Sequence, residues 1–292
     1  MRATNTCLMN QAARLAPYFF QQFRAACFAT IGTVCAFAML SAHADSIKIG
    51  GTGTALGSIK LLAQEFKRSR PEAQLIVTPS LGSTGAIRAV IAGAIDIGIS
   101  ARPVNDEELR QGASARTYAR TPFVIATAAK TSASGLTLTE LTAIYSGTQT
   151  RWPDGSPLRL VVRPDADADT VLMRAFSPEM SQAISLALTR KGLRLADTDQ
   201  DNIDALEKLP GSLGTSTLTQ LATEGRAVNA LALNGVAPTL QNLSNGSYPY
   251  FKTLHLVTGP HPAPLAKDFV AYIQSAAGRA VLERSGNLAL TQ

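Results

Sequence analysis

"STGAIRAVIAGAIDIGIS", residues 83–100, predicts an amphipathic helix followed at once by a buried strand. The apolar face of the helix is formed by Ala86, Ile87, Val90 and Ile91. Gly93 follows the helix, which is typical of a residue just beyond a helix end. A strand at 46–51, a helix at 56–71 and a strand at 73–80 come before this stretch. The resulting β-α-β-α-β order predicts an α/β fold with a parallel sheet covered by helices on both faces.

The rest of the chain continues the alternation of strands and helices. Strands are predicted at 121–129, 158–163, 227–235 and 248–259, and helices at 136–147, 170–188 and 263–286. Residues 211–225 are predicted as a turn followed by a helix. The last strand is expected to return to the first half of the fold.

Residues 1–44 are predicted to be a signal peptide that is removed. A basic stretch ends at Arg24, an uncharged apolar run covers 25–40, and Ala42 and Ala44 occupy the small-residue positions read by signal peptidase. A membrane anchor is the alternative, but the apolar run is short for a span. We therefore expect an exported, periplasmic protein.

Composition excludes several classes of protein. All three cysteines lie within 1–44, so the mature chain has no thiol for a disulfide, a thiolate metal site or a nucleophile. Three of the 27 basic residues also lie in the leader, and the remaining excess over 21 acidic residues is small. Without a basic cluster, no nucleic-acid partner is expected.

Three stretches, 50–54, 80–86 and 163–170, each place a small polar or acidic turn between a strand and a helix. Helix N-termini carry unpaired N–H groups and a partial positive charge, and ligands of α/β folds collect at the carboxyl ends of strands. Three such turns in one chain therefore indicate an oxyanion site.

The stretch "VVRPDADADT", residues 161–170, leaves several alternatives open. Its aspartates could form a metal loop, an acid/base site, a helix cap or an altered anion site. An EF-hand needs glycine and glutamate where Thr170 and Phe176 stand, so that reading is disfavoured. We predict no metal site, no cofactor, no catalytic residue and no enzymatic activity.

The chain resembles the periplasmic phosphate-binding subunits of bacterial ABC importers. The resemblance rests on "IKIGGTGT", "LGSTGAIRAVIAGAIDIGISARPV", "LTLTELTAIYSGTQTRWPDGSPLRLVVRPD" and the late "SYPYFKTLHLVTG", and it covers nearly all of 46–292. It implies a type II periplasmic-binding-protein fold with two α/β lobes, a ligand cleft and a two-strand hinge. Lobe one would be 45–126 plus 238–292, and lobe two would be 127–237.

The resemblance also implies a set of ligand-binding residues. The candidates are Thr52, Gly53, Thr54, Ser83, Thr84, Gly85, Ser100, Arg102, Arg163, Asp167, Asp169 and Thr170. The expected solute is phosphate or another oxyanion, and the expected partner is an ABC permease in the inner membrane. The alternative is a sensory or accessory module with altered or lost anion specificity that acts through a receptor or protein partner. We expect a monomer.

Two departures from the family pattern concern the anion. Asp167, Ala168 and Asp169 stand where the family has a Ser-Gly-Thr turn, and Ala101 stands where it has an aspartate that accepts the phosphate proton. A carboxylate about 4 Å from an anion costs on the order of 4 kcal/mol at an effective dielectric constant near 20. An aspartate could cap the helix that follows, could replace the missing proton acceptor, or could signal a switched ligand.

Overall fold

Strands and helices alternate along residues 46–290, the part of the chain that this computed structural model describes. The strands are β1 (Ser46–Gly51), β2 (Gln74–Val77), β3 (Ile97–Ser100), β4 (Ser114–Ala128), β5 (Gly135–Leu136), β6 (Arg159–Val162), β7 (Arg194–Leu195), β8 (Ser212–Thr217), β9 (Val228–Leu233), β10 (Phe251–Thr258) and β11 (Leu288–Ala289). The helices are α1 (Gly53–Ser69), α2 (Gly82–Ile91), α3 (Asp106–Arg110), α4 (Leu138–Ser146), α5 (Ala168–Arg174), α6 (Pro178–Thr189), α7 (Asp199–Lys208), α8 (Leu218–Glu224), α9 (Leu240–Ser244), α10 (Pro264–Gln274) and α11 (Ala276–Arg284). The predicted leader, 1–44, lies outside the described residues.

The parallel β-α-β-α-β unit predicted from the sequence is confirmed. Strand β1 pairs in parallel with β2 on one side and with β3 on the other. The apolar side chains of the two central strands are buried because helices cover both faces of the sheet, as at Ile47, Ile49, Ile97 and Ile99. This arrangement places the carboxyl ends of the strands, and the turns that follow them, at one edge.

Strand β4 is the structural link between the two halves of the fold. Its first part pairs antiparallel with β10, and its second part, from Phe123 onward, pairs antiparallel with β8 and β9. The buried hydrophobic residues form two groups of clusters, one on each side of the point where β4 changes pairing partners. Side chains up to Ala119 and from Leu254 onward belong to the first group, and those from Phe123 to Tyr248 belong to the second. The lobe boundaries at 126 and 238 stay predictions.

The stretch 170–188, predicted to be helical, forms two helices, α5 and α6, with a break between them. Helix α6 has its N-cap at Ser177, whose hydroxyl accepts a hydrogen bond from the backbone N–H of Met180. Pro178 is the first residue of α6, where its missing N–H costs nothing, whereas it would interrupt a continuous helix.

The turn predicted at the start of 211–225 is wrong, because residues 212–217 are the central strand β8. This strand lies between β4 and β6 and is buried along its whole length. Its sequence, SLGTST, carries hydroxyl groups in place of the expected apolar residues. These hydroxyls are satisfied internally, as where Ser212 donates to the carbonyl oxygen of Leu206. Small polar residues of this kind are common in turns, so the pattern favoured the wrong structure.

Within residues 46–290, no helix combines the length and hydropathy required to cross a lipid bilayer.

Thr121 gives a test of the link between the two halves. Its buried hydroxyl donates to the carbonyl oxygen of Gly286 and accepts from the N–H of Thr219, at 2.8 and 3.1 Å. Thr121→Val would leave both groups buried without a partner, and each costs about 1–3 kcal/mol. We expect urea unfolding to show a free energy of unfolding about 2–4 kcal/mol lower than in the wild-type protein.

Thr253→Val is the matched control for this substitution. Thr253 lies opposite Arg120 on β10, is half-buried, and its hydroxyl makes no hydrogen bond within the described part of the chain. The control is expected to change the free energy of unfolding little. Equal losses in the two variants would show that Thr121 does not link the halves.

Candidate functional site

A cleft of about 630 Å³ lies where the turns after β1, β2, β3 and β6 meet. Both halves of the fold contribute residues to its walls. These include Thr52, Gly82–Gly85, Ala101–Pro103, Arg163, Pro164, Ala166–Ala168, Asp197–Asp199 and Lys252. The three turns at 50–54, 80–86 and 163–170 therefore converge on one space, as the sequence predicts.

The carboxylate of Asp199 occupies the anion cradle at the start of α1. Its oxygens accept a hydrogen bond from the backbone N–H of Thr54 at 2.9 Å and from the hydroxyls of Thr52 and Thr54 at 3.1 and 3.2 Å. Thr52, the N-cap residue of α1, forms no capping hydrogen bond with its own side chain. An acidic side chain from the second half of the fold thus satisfies a helix start in the first half.

Local sequence explains how Asp199 reaches this position. Helix α7 begins with a capping box, in which Thr198 and Asp201 bond each other's backbone N–H groups, so Asp199 is fixed as the first helical residue. Gly53 permits the approach, because a Cβ at this position would collide with Asp199 and Gln200. A side chain at position 53 would push the two helix starts apart.

Arg163 ends strand β6 and forms one wall of the cradle. Its Nη2 donates to Asp167 at 2.7 Å and lies 3.7 Å from Asp199, while its Nη1 donates to the carbonyl oxygen of Ala196 at 2.8 Å. The side chain is only 4% exposed, yet its Nε has no hydrogen-bond partner among the described residues. Buried donors are usually paired, so this unpaired N–H is an exception that calls for an explanation.

The three aspartates of the VVRPDADADT stretch have three different roles. Asp165 is exposed and pairs with Arg174 at 2.7 Å. Asp167 is the N-cap of α5 and accepts from the N–H of Asp169, so the capping alternative holds for Asp167. Asp169 is buried and faces away from the cleft wall, which it does not line.

Asp169 forms a buried ion pair with Lys252 of strand β10. Asp169 also accepts a hydrogen bond from the hydroxyl of Thr215 at 2.5 Å, and the Lys252 ammonium donates to the hydroxyl of Thr54 at 3.1 Å. Thr54 can therefore accept from Lys252 while it donates to Asp199. The two carboxylates and the ammonium form one continuous network, in which Asp199 and Lys252 line the cleft and Asp169 does not.

The pKa shifts show which groups of this network are charged. Burial alone would raise the pKa of Asp199, but Lys252, Arg163 and the hydrogen bonds from Thr54 and Thr52 hold it below its ordinary value. Burial would lower the pKa of Lys252, but Asp169 and then Asp199 raise it. Burial raises the pKa of Asp169, although Lys252 opposes the rise. Asp199 and Lys252 are thus ionised. Of the two carboxyl groups, Asp169 is the one that is more easily protonated.

The remaining predicted residues line the other wall or support it. Ser83, Thr84 and Gly85 face the cleft from α2, and the Ser83 oxygen accepts from the N–H of Ala101 at 2.9 Å. Ser100 does not line the cleft, because its hydroxyl donates to the carbonyl oxygen of Arg102.

Gly53 and Thr54 lie behind the wall, as does Thr170, whose hydroxyl donates to the carbonyl oxygen of Arg163.

Arg102 lines the cleft, but its positive charge is directed to a carboxylate. Both Nη atoms donate to Glu108, at 2.9 and 2.6 Å, and the side chain also contacts the Thr84 hydroxyl. Glu108 belongs to the capping box of α3 with Asn105. The arginine next to Ala101 therefore holds α2 and α3 together.

No group of three or more His, Asp or Glu side chains within 46–290 has the geometry of a metal site. The clustered carboxylates face Arg163 and Lys252, whose charges they already balance.

Sequence reasoning missed two residues of the site, Asp199 and Lys252. The motif Thr198–Asp201 has the spacing of a capping box, with apolar Ile203 and Leu206 after it, so the start of α7 could have been found. Lys252 lies in a strand that also contains Thr253 and His255, and nothing in the sequence indicates that it is buried or which residue it pairs with.

A family model with the description "PBP superfamily domain" matches residues 39–277. The chain belongs to the PBP superfamily. Its architecture is the type II periplasmic-binding-protein fold, as the sequence predicts.

Known proteins resemble the chain over most of its length. The phosphate-binding protein PstS of Bacillus subtilis is 26% identical over 243 residues, 79% of this chain and 75% of that protein. PstS of Borreliella burgdorferi is 22% identical over 257 residues, 84% of this chain and 90% of that protein. A crystal structure from Clostridium perfringens, described as a phosphate ABC transporter substrate-binding protein with bound phosphate, has a TM-score of 0.72 and 19% identity, and covers 85% of this chain and 100% of that one.

Glu108 gives a pH-dependent test of the Arg102 wall. The hydrogen bonds from Arg102 lower the pKa of Glu108 below its ordinary 4.5, against the effect of burial, and the N–H of Asn105 contributes further. The stabilisation is therefore complete above the ordinary pKa and is lost as pH falls through the lower folded-state pKa. Glu108→Gln should lower the free energy of unfolding by about 1–2 kcal/mol at neutral pH.

Urea unfolding at neutral pH and near pH 3 measures this effect, and the difference between variant and wild type should shrink at the acidic value. Glu107→Gln is the control, since Glu107 lies on the same helix but forms an exposed pair with Arg110. It should leave the free energy of unfolding unchanged within error. A Glu108→Gln effect of the same size at both pH values would contradict an ionised Glu108–Arg102 contact.

Proposed function

We propose that this PBP superfamily protein is an exported solute-binding protein that captures phosphate or a closely similar oxyanion in the cleft. It presents the solute to an ABC importer. The observation that carries the proposal is the position of the Asp199 carboxylate, an oxyanion group held by Thr52, by Thr54 and near Arg163. A site that binds two carboxylate oxygens in this way has the donors to bind phosphate oxygens.

Two further donors support an oxyanion larger than a carboxylate. The buried Nε of Arg163 has no partner within 46–290. The hydroxyl hydrogen of Ser83, on the opposite wall, has no acceptor among the described contacts, although its oxygen accepts from Ala101. A tetrahedral anion offers four oxygens and could use donors from both walls of the cleft.

The proposal includes the role and the partner. The relatives described above carry the names of phosphate-binding and transport proteins, which favours an ABC permease over a sensory receptor as the partner. Carboxylates in the cleft would favour the sensory alternative, and phosphate binding is the property that separates the two. We assign the protein binding and no catalytic step, with export by the predicted leader 1–44 and action as a monomer.

Titration calorimetry on the protein beginning at Asp45, after exhaustive phosphate removal, tests the proposal. We expect binding of phosphate and weaker binding of sulfate and molybdate. Failure of every oxyanion in the panel to bind would contradict the proposed function and would favour the sensory alternative.

Ser83→Ala tests whether the solute reaches both walls of the cleft. Loss of one hydrogen bond to a charged group, worth about 1.5–3 kcal/mol, should weaken phosphate binding roughly tenfold to a hundredfold. Ser80→Ala is the control, because Ser80 lines the same cleft but its hydroxyl already donates to the carbonyl oxygen of Gly51. Equal affinities in the two variants would exclude Ser83 from the binding site.

A further inference from the structure

We infer that Asp199 is a specificity-determining residue whose carboxylate competes with the solute for the cradle at the start of α1. An incoming oxyanion must displace this carboxylate before it can bind Thr52 and Thr54. The inference rests on the proposed function, because it concerns the same cradle.

The occupied cradle is the first support for this inference. Both oxygens of Asp199 are bound, one by the N–H of Thr54 and the hydroxyl of Thr52, the other by the hydroxyl of Thr54. Asp199 is only 7% exposed. A phosphate oxygen and an Asp199 oxygen cannot accept the same N–H together, so the two anions exclude each other.

The cleft provides a place for the displaced carboxylate. Asp199 lies on its wall together with Asp197 and Thr198, and the cleft has a volume of about 630 Å³. A change of side-chain rotamer at Asp199 would move the carboxylate from the cradle into this space without moving the backbone of α7. The exchange therefore needs no unfolding of the helix.

The competition favours solutes that bind more donors than Asp199 does. A small monocarboxylate would repeat the hydrogen bonds of Asp199 and would have to overcome the high effective concentration of a side chain already in place. Phosphate has additional oxygens that can accept hydrogen bonds from Arg163 and Ser83, which line the cleft. Asp199 would thus reject simple carboxylates and raise the phosphate concentration at which the cleft fills.

The test compares phosphate binding, by titration calorimetry, in the wild-type protein, Asp199→Ala, Asp199→Asn and Asp197→Ala. Asp197 is the matched control, since it carries the same charge, lines the same cleft two residues away and is exposed, with no contact to the cradle. Asp199→Ala should bind phosphate at least tenfold more tightly than the wild type. Asp197→Ala should stay within about twofold of the wild type. Asp199→Asn should fall between wild type and Asp199→Ala, because its amide oxygen can still accept from Thr54 N–H.

The outcomes separate this inference from the proposed function. If the wild type binds phosphate and Asp199→Ala binds it equally or more weakly, Asp199 is no competitor and only the inference fails. Equal gains in Asp199→Ala and Asp199→Asn would also overturn it, because removal of charge alone would explain them. If only Asp199→Ala binds phosphate, the inference holds and the proposed function of the wild-type protein fails. If no variant binds phosphate, both fail.

Discussion

The buried contact between Asp199 and the start of α1 is the interaction on which the site depends. A charged side chain is expensive to bury unless a partner of opposite charge and hydrogen bonds replace its hydration. Here the carboxylate receives the hydrogen bonds of Thr52 and Thr54, and Arg163 and Lys252 supply the positive charge. Thr54 and Arg163 each contact a second charged group as well, so the hydrogen bonds and charges of these residues depend on one another.

This network explains how the chain accommodates Asp167, Ala168 and Asp169 in the turn after β6, where the resembled family has a Ser-Gly-Thr turn. The acidic turn removes hydroxyl donors from that helix start, and Asp167 takes over its capping. The cradle at α1 keeps its donors, and its occupant comes from α7. The start of α1 therefore keeps hydrogen-bond donors suited to an oxyanion, and in this chain they bind the carboxylate of Asp199.

The first half of the fold was predictable because its signals are local. The apolar face that includes Ile87, the glycine after the helix and the strand order all follow from short-range patterns. Strand β8 was missed because hydroxyl groups buried by neighbouring strands look like turn residues in the sequence.

Within the site, the convergence of three turns followed from the rule that strand ends share an edge of the sheet. The capping role of Asp167 was one of several open alternatives, because the sequence does not show which way alternate side chains turn. The pairing of Lys252 with Asp169 joins residues 83 positions apart. Such a contact arises from tertiary packing alone, so no spacing pattern in the sequence predicts it.

Lys252 lies opposite Thr121 in the register of β10 and β4, next to the point where β4 passes from one half of the fold to the other. A group close to a pivot has a short lever arm, so a swing of the two halves about this crossing carries it over a small arc. The Lys252–Asp169 pair joins β10 to α5 beside this crossing, so a swing that separated its two members would have to break a buried ion pair.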